Sequence, residues 1–178
     1  MNETSLSRID DFLEAASREL FLSCGIGLER AAAESARLDI PFAATIGFTS
    51  GEIHGFLVIT LGRDLAARSL PGSLRSRAAD DEIVADWTGE LSNQLLGRLK
   101  NRFHDVGVEL ALSTPVIFAG MNLRHFPCDA PLCRGLAFRD GSGGAVLVEL
   151  QANYVEGFEI GEGGRSGQVP DEGDVTLF

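Results

Sequence analysis

Asp86, Glu90, Asn93 and Gly97 follow one another at spacings of four, three and four residues, within a stretch that carries no proline. At about 100° per residue such spacing stacks them in one file along a single helical ridge. The file is two carboxylates, a carboxamide and a patch of bare backbone, with Lys100 close by. Carboxylates can pair with a cation, an amide can orient a water, and a glycine lets another molecule approach the helix closely.

The ridge matters only if a helix presents it. Residues 80–103 predict that helix, because Val84, Trp87, Leu91, Leu95, Leu96, Leu99 and Phe103 fall on the opposite, broad apolar side. Polar residues opposite an apolar stripe are what any surface helix shows, so Asp86 and Glu90 alone signify little. Gly97 and Asn93 are different. A mid-helix glycine costs about 1 kcal/mol relative to alanine, and asparagine is a poor helix former where Glu or Lys would serve solvation better. Two unfavourable choices on one exposed file point to something docking there.

The chain has 178 residues, 44% of them hydrophobic and 23% charged, enough for one domain with a core and too few for two. A formal net charge of -11 and a pI near 4.6 argue against nucleic-acid and anionic-membrane partners, whose phosphates would be repelled. Proteins and small molecules remain. No apolar run approaches the roughly 20 residues of a membrane span, and the acidic N-terminus lacks the basic flank of a signal peptide, so a cytoplasmic location is expected. Cys24, Cys128 and Cys133 are an odd number without an export signal and are expected to be reduced, structural thiols.

The surrounding elements follow in order. Residues 7–24 predict a first helix through Ile9, Phe12, Leu13, Ala16 and Leu20, capped by Ser7 and ended by Gly25 and Gly27. After a polar, Ala-rich connection, residues 40–48 and 53–61 predict a hairpin, and residues 64–69 a short helix stopped by Pro71 and Gly72. The central helix comes next. Residues 108–119 predict one strand with an edge or a bulge at Pro115. An irregular segment, 121–131, leads to a second hairpin, 133–139 with 145–152. The order α, ββ, α, α, β, ββ predicts an α+β domain over residues 1–160, its antiparallel-rich sheet made of two hairpins and the Pro-containing strand and packed by two long helices. Residues 161–178, rich in Gly and acid, predict a disordered tail. Val175, Leu177 and Phe178 at its end form a short apolar cluster that could dock on a partner.

Several chemistries find no support. No GxxxxGK[ST] and no GxGxxG after a strand appears. The spacing of His125, Cys128 and Cys133 matches no zinc pattern. His54 in a strand and His104 at a helix end have no nucleophile with a helper beside them in sequence.

The pattern Asp86-x-x-x-Glu90-x-x-Asn93, with Pro115 in a following strand, resembles the signature of the CheC, CheX and FliY family of chemotaxis phosphatases. The order of leading helix, hairpin and closing hairpin is similar too, and a single copy of the motif is most like CheX. Twenty-one residues separate Asn93 from Pro115, one fewer than the family pattern.

The resemblance implies hydrolysis of the phosphoaspartate of a CheY-like receiver domain. An acyl phosphate is already reactive and the receiver carries its own Mg²⁺, so the phosphatase has only to place a water and needs no cofactor or metal of its own. On this reading Asn93 orients the water and Glu90 pairs with the receiver's active-site lysine. Asp86, Gly97 and Pro115 help form the partner-binding surface. The resemblance also suggests a homodimer. A non-catalytic module that binds a receiver through the same ridge is the alternative, and an α/β domain for a small ligand is a third reading supported by fold alone.

Overall fold

The computed structural model describes residues 1–32, 41–120 and 129–161. Ile40, His125, Cys128, most of the expected irregular segment and the expected tail from residue 162 lie outside the described residues.

The first helix, α1 (Glu3–Ser23), starts four residues before the sequence suggests. Asn2 has extended backbone and its side chain accepts the Ser5 N–H at 2.8 Å, so Asn2 is the N-cap and Ser7 lies inside the helix. The other end is as expected. Gly25 takes φ +79°, and the N–H groups of Gly25 and Ile26 return to the carbonyls of Leu22 and Phe21.

A strand that the sequence analysis missed follows: β1 (Leu28–Ala31) pairs antiparallel with residues 137–140, Leu28 opposite Asp140 through Ala31 opposite Ala137. Its four residues include Glu29 and Arg30, and only Leu28 is buried, so no alternation marks it.

The first hairpin is β2 (Pro41–Thr49) and β3 (Ile53–Gly62), in register from Phe42 opposite Leu61 to Thr49 opposite His54. Ser50 closes its turn by accepting the N–H groups of Glu52 and Ile53. The short helix α2 (Arg63–Ser69), a 3₁₀ turn (Arg75–Arg77) and the long helix α3 (Asp81–Asp105) come next.

The single strand predicted over 108–119 is two: β4 (Ala111–Leu112) and β5 (Val116–Ala119), both on the free edge of β2. Phe48 faces Leu112 and Thr45 faces Val116, so three residues, Ser113, Thr114 and Pro115, oppose Ile46 and Gly47. That is a bulge of one extra residue, and it sits at the proline that has no N–H to give a ladder. Ser113 holds it, because its hydroxyl accepts the Gly47 N–H and its own N–H donates to the Gly47 carbonyl.

The second hairpin, β6 (Leu132–Asp140) and β7 (Ala145–Tyr154), lies beside the first through β3 and β7. The result is one antiparallel seven-stranded sheet, ordered β1-β6-β7-β3-β2-β4, with β5 also on β2. The α+β class and the two packing helices are therefore as expected. Alternate residues of β2 (Phe42, Ala44, Ile46, Phe48) and of β3 (Leu57, Ile59, Leu61) meet Leu91, Leu95, Leu99 and Phe103 of α3 and Ile9, Leu13 and Leu20 of α1 in one buried core. Among the described residues no helix is long and apolar enough to cross a membrane.

Candidate functional site

A file of side chains can aim at a partner only if its helix is fixed at both ends. Asp80 caps α3 by accepting the Glu82 N–H, and Arg63 clamps the same end through Asp81 at 2.7 Å and the carbonyls of Ala78 and Ala79. In the middle, the Trp87 indole N–H donates to the Ser69 hydroxyl at 2.8 Å, tying α3 to the end of α2. Near its C-terminus, Phe103 meets Phe12 edge-on at 5.8 Å and Arg102 pairs with Glu19 at 2.6 Å. The helix is a rigid rail with its outer ridge uncovered.

On that ridge Asp86 and Glu90 are exposed, and Asn93 and Gly97 are partly exposed. A Cβ added at Gly97 would meet nothing within 4 Å, so no packing requirement among the described residues explains that glycine. Glu90 is held from one side: the Gln94 side-chain N–H donates to its Oε1 at 2.9 Å. Asn93 makes no side-chain hydrogen bond among the described residues, which leaves both its carbonyl and its amide free for a water. The predicted residues Asp86, Glu90, Asn93 and Gly97 are thus brought together on one surface.

Pro115 stands to the side of this file. It lies in the bulge before β5, and its Cγ is 3.9 Å from the position of a Cβ on Gly89. Ile117 comes closer, with Cδ1 at 2.9 Å from that position. Gly89, which the sequence analysis did not single out, is therefore the glycine that lets β5 approach α3. Gln94 was also missed, although a Gln four residues after a Glu is a legible helical pair.

The opposite flank of the ridge holds a cavity of about 290 Å³ between the end of α1, the loop after α2 and α3, lined by Cys24, Leu70, Pro71, Arg75, Trp87 and Gln94. Burial pushes the Cys24 thiol up, so it is a neutral thiol and no nucleophile at neutral pH. Cys133 is exposed, His54 lies in β3, and His104 near the end of α3 contacts Glu109. No group of three or more His, Cys, Asp or Glu is placed to hold a metal ion among the described residues. What the ridge can do chemically is pair with a cation at Glu90 and hold a water at Asn93.

Solved structures with this fold include CheX from Vibrio vulnificus, at 20% identity and a TM-score of 0.64 over 80% of this chain and 97% of that one. CheX from Desulfovibrio desulfuricans gives 17% and 0.65 over 82% and 99%. The CheX–CheY–BeF₃–Mg²⁺ complex from Borrelia burgdorferi gives 16% and 0.55 over 82% and 97%. At such identities the likeness is one of fold. No curated protein matches the chain in sequence. The family described as chemotaxis phosphatase CheX matches residues 42–129, a span that contains Asp86, Glu90, Asn93, Gly97 and Pro115. With the fold and the family match in agreement, the chain is a CheX-like member of the CheC, CheX and FliY family of chemotaxis phosphatases.

Proposed function

We propose that this protein hydrolyses the phosphoaspartate of a CheY-like receiver domain, with Asn93 positioning the attacking water. The observation that carries this is the free carboxamide of Asn93 on an uncovered ridge, one helical turn from the carboxylate of Glu90. Glu90 pairs with the receiver's active-site lysine and so fixes where Asn93 lies relative to the phosphorus. Gly97 admits the receiver's backbone, Asp86 borders the contact, and Pro115 with β5 forms its flank. Mg²⁺ arrives with the receiver, and the chain supplies no cofactor. The reaction takes place in the cytoplasm.

The CheX–CheY complex among the structural relatives supports a receiver as partner. A second copy of the chain is a further partner in this reading. Strand β5 ends the described sheet with Val116 and Phe118 about half exposed, and strand pairing there would cover them. Light scattering of the unmodified protein beside Phe118→Lys tests that contact.

The catalytic reading is tested by phosphate release from a phosphorylated receiver with Mg²⁺ present. Asn93→Ala is expected to lower turnover on the order of 10² or more with little change in receiver binding, because the amide acts chiefly in the transition state. Glu90→Ala is expected to weaken binding and turnover together, and Glu90→Lys to be worse. A folded Asn93→Ala protein that works at the unmodified rate would remove the water-positioning role of Asn93, and receiver binding without turnover by the unmodified protein would replace catalysis with the non-catalytic receiver-binding reading.

A further inference from the structure

Charge is divided along α3. From Asp80 to Glu90 there are five acids (Asp80, Asp81, Glu82, Asp86, Glu90) and no Lys or Arg, whereas residues 91–104 contain Arg98, Lys100 and Arg102 and no acid. Two of these three cations are engaged at home. Arg98 donates to the Gln94 carbonyl at 3.2 Å and Arg102 pairs with Glu19. Lys100 has no partner among the described residues, and it follows Gly97 by three positions on the same side of the helix.

Helix polarity does not account for it. The helix dipole acts on the last turn, where Arg102 and His104 already stand, and Lys100 precedes that turn. Nor does Lys100 belong to the ion pairs that hold the fold together, which use arginines such as Arg18, Arg63, Arg68 and Arg134. It is the chain's one lysine beside 14 arginines, a compact charge on a flexible stem and the one cation on the ridge.

We infer that Lys100 is the second electrostatic anchor of the ridge, pairing with an acidic side chain of the receiver and setting the direction in which the receiver docks. This rests on the reading of the ridge as a receiver-docking surface. At 1.5 Å per residue, Lys100 lies about 15 Å along the axis from Glu90 and about 10 Å from Asn93. The ridge therefore presents an acid, then the water-holding amide, then open backbone at Gly97, then a base. A receiver in the productive direction sets its lysine on Glu90 and an acid on Lys100. Reversed, it sets like charges together at both ends, so the wrong direction is penalised twice. A local cation also offsets repulsion between a protein of net charge -11 and a receiver surface that carries a phosphoryl group.

The test uses the full chain and a CheY-like receiver that the unmodified protein dephosphorylates. Binding is measured to its beryllofluoride form with Mg²⁺, and kcat and KM to its phosphorylated form, each at low and at raised ionic strength. Lys100→Gln is expected to weaken binding and raise KM about 2–5-fold at low salt, as exposed pairs do, with kcat unchanged. Lys100→Glu should weaken binding further, Lys100→Arg should restore it to within about twofold, and the differences should shrink as salt screens the pair. Unchanged binding of folded Lys100→Glu at low salt would overturn the inference, and so would a loss of kcat without a change in binding. Asn93→Ala run in parallel separates the two readings. Full turnover in that variant removes the catalytic role of Asn93, while the binding comparison still decides Lys100.

Discussion

A Cβ on Gly89 would lie 2.9 Å from Cδ1 of Ile117, so the middle of α3 and the edge strand β5 meet this closely because position 89 has no side chain. This contact places Pro115 and the bulge alongside the turn that carries Glu90. Ile117 is partly exposed and its end can swing, so Gly89→Ala should change stability by no more than about 1 kcal/mol, helix propensity offsetting the contact. Gly89→Leu should cost about 1–3 kcal/mol by driving β5 off α3. Adding Ile117→Ala should recover part of that loss in urea melts, and strictly additive effects would show that the two residues do not press on each other.

Gln94 holds Glu90 from the cavity side of the ridge. Gln94→Leu should therefore loosen Glu90 without removing its charge. The expected result is a KM for phosphorylated receiver raised about 2–5-fold with a smaller change in kcat, in keeping with the loss of one exposed hydrogen bond. Steady-state kinetics at constant ionic strength read it, and Gln94→Leu with an unmoved KM would leave the bond as a surface contact without consequence.

Gly97 faces open space, and its helix would be better formed by almost any other residue. Gly97→Leu should thus keep or raise the melting temperature while excluding the receiver's backbone, lowering affinity by tenfold or more. Thermal melts paired with binding to a beryllofluoride-activated receiver decide the matter. Full affinity in the folded variant would contradict close docking at this position.

Asp140 joins the second hairpin to α2 through Arg68 and accepts the N–H groups of Ser142 and Gly144 across its own turn. Burial pushes its carboxyl up, but the Arg68 guanidinium and the Gly144 and Ser142 N–H groups outweigh it and hold it below the usual carboxylate range. A depressed folded-state value means stability that is present above the unfolded value of about 4 and lost as pH falls through the folded one. Asp140→Asn should cost about 1–2 kcal/mol at pH 7, and the gap to the unmodified protein should close as pH falls below the unfolded value of about 4. A gap constant with pH would show that the charge of Asp140 contributes nothing.

The candidate site was legible because it is local. Asp86, Glu90, Asn93 and Gly97 share one helix, so their spacing alone set them on one ridge, and the apolar stripe from Val84 to Phe103 said which side faced out. Both hairpins were legible for the same reason, alternation and turn residues being properties of neighbours in sequence. Helix starts were less so, since Asn2 and Ser7 are both good caps and the choice depends on where the tertiary structure leaves room. What tertiary structure alone decided lies between elements. Leu28–Ala31 becomes a strand only because β6 offers an edge to it, and residues 108–119 divide because β2 pairs with them on either side of a bulge held by Ser113 and Gly47. The role of Gly89 depends on Ile117, 28 residues later, and no local pattern encodes a contact whose partner is chosen by how a sheet edge crosses a helix.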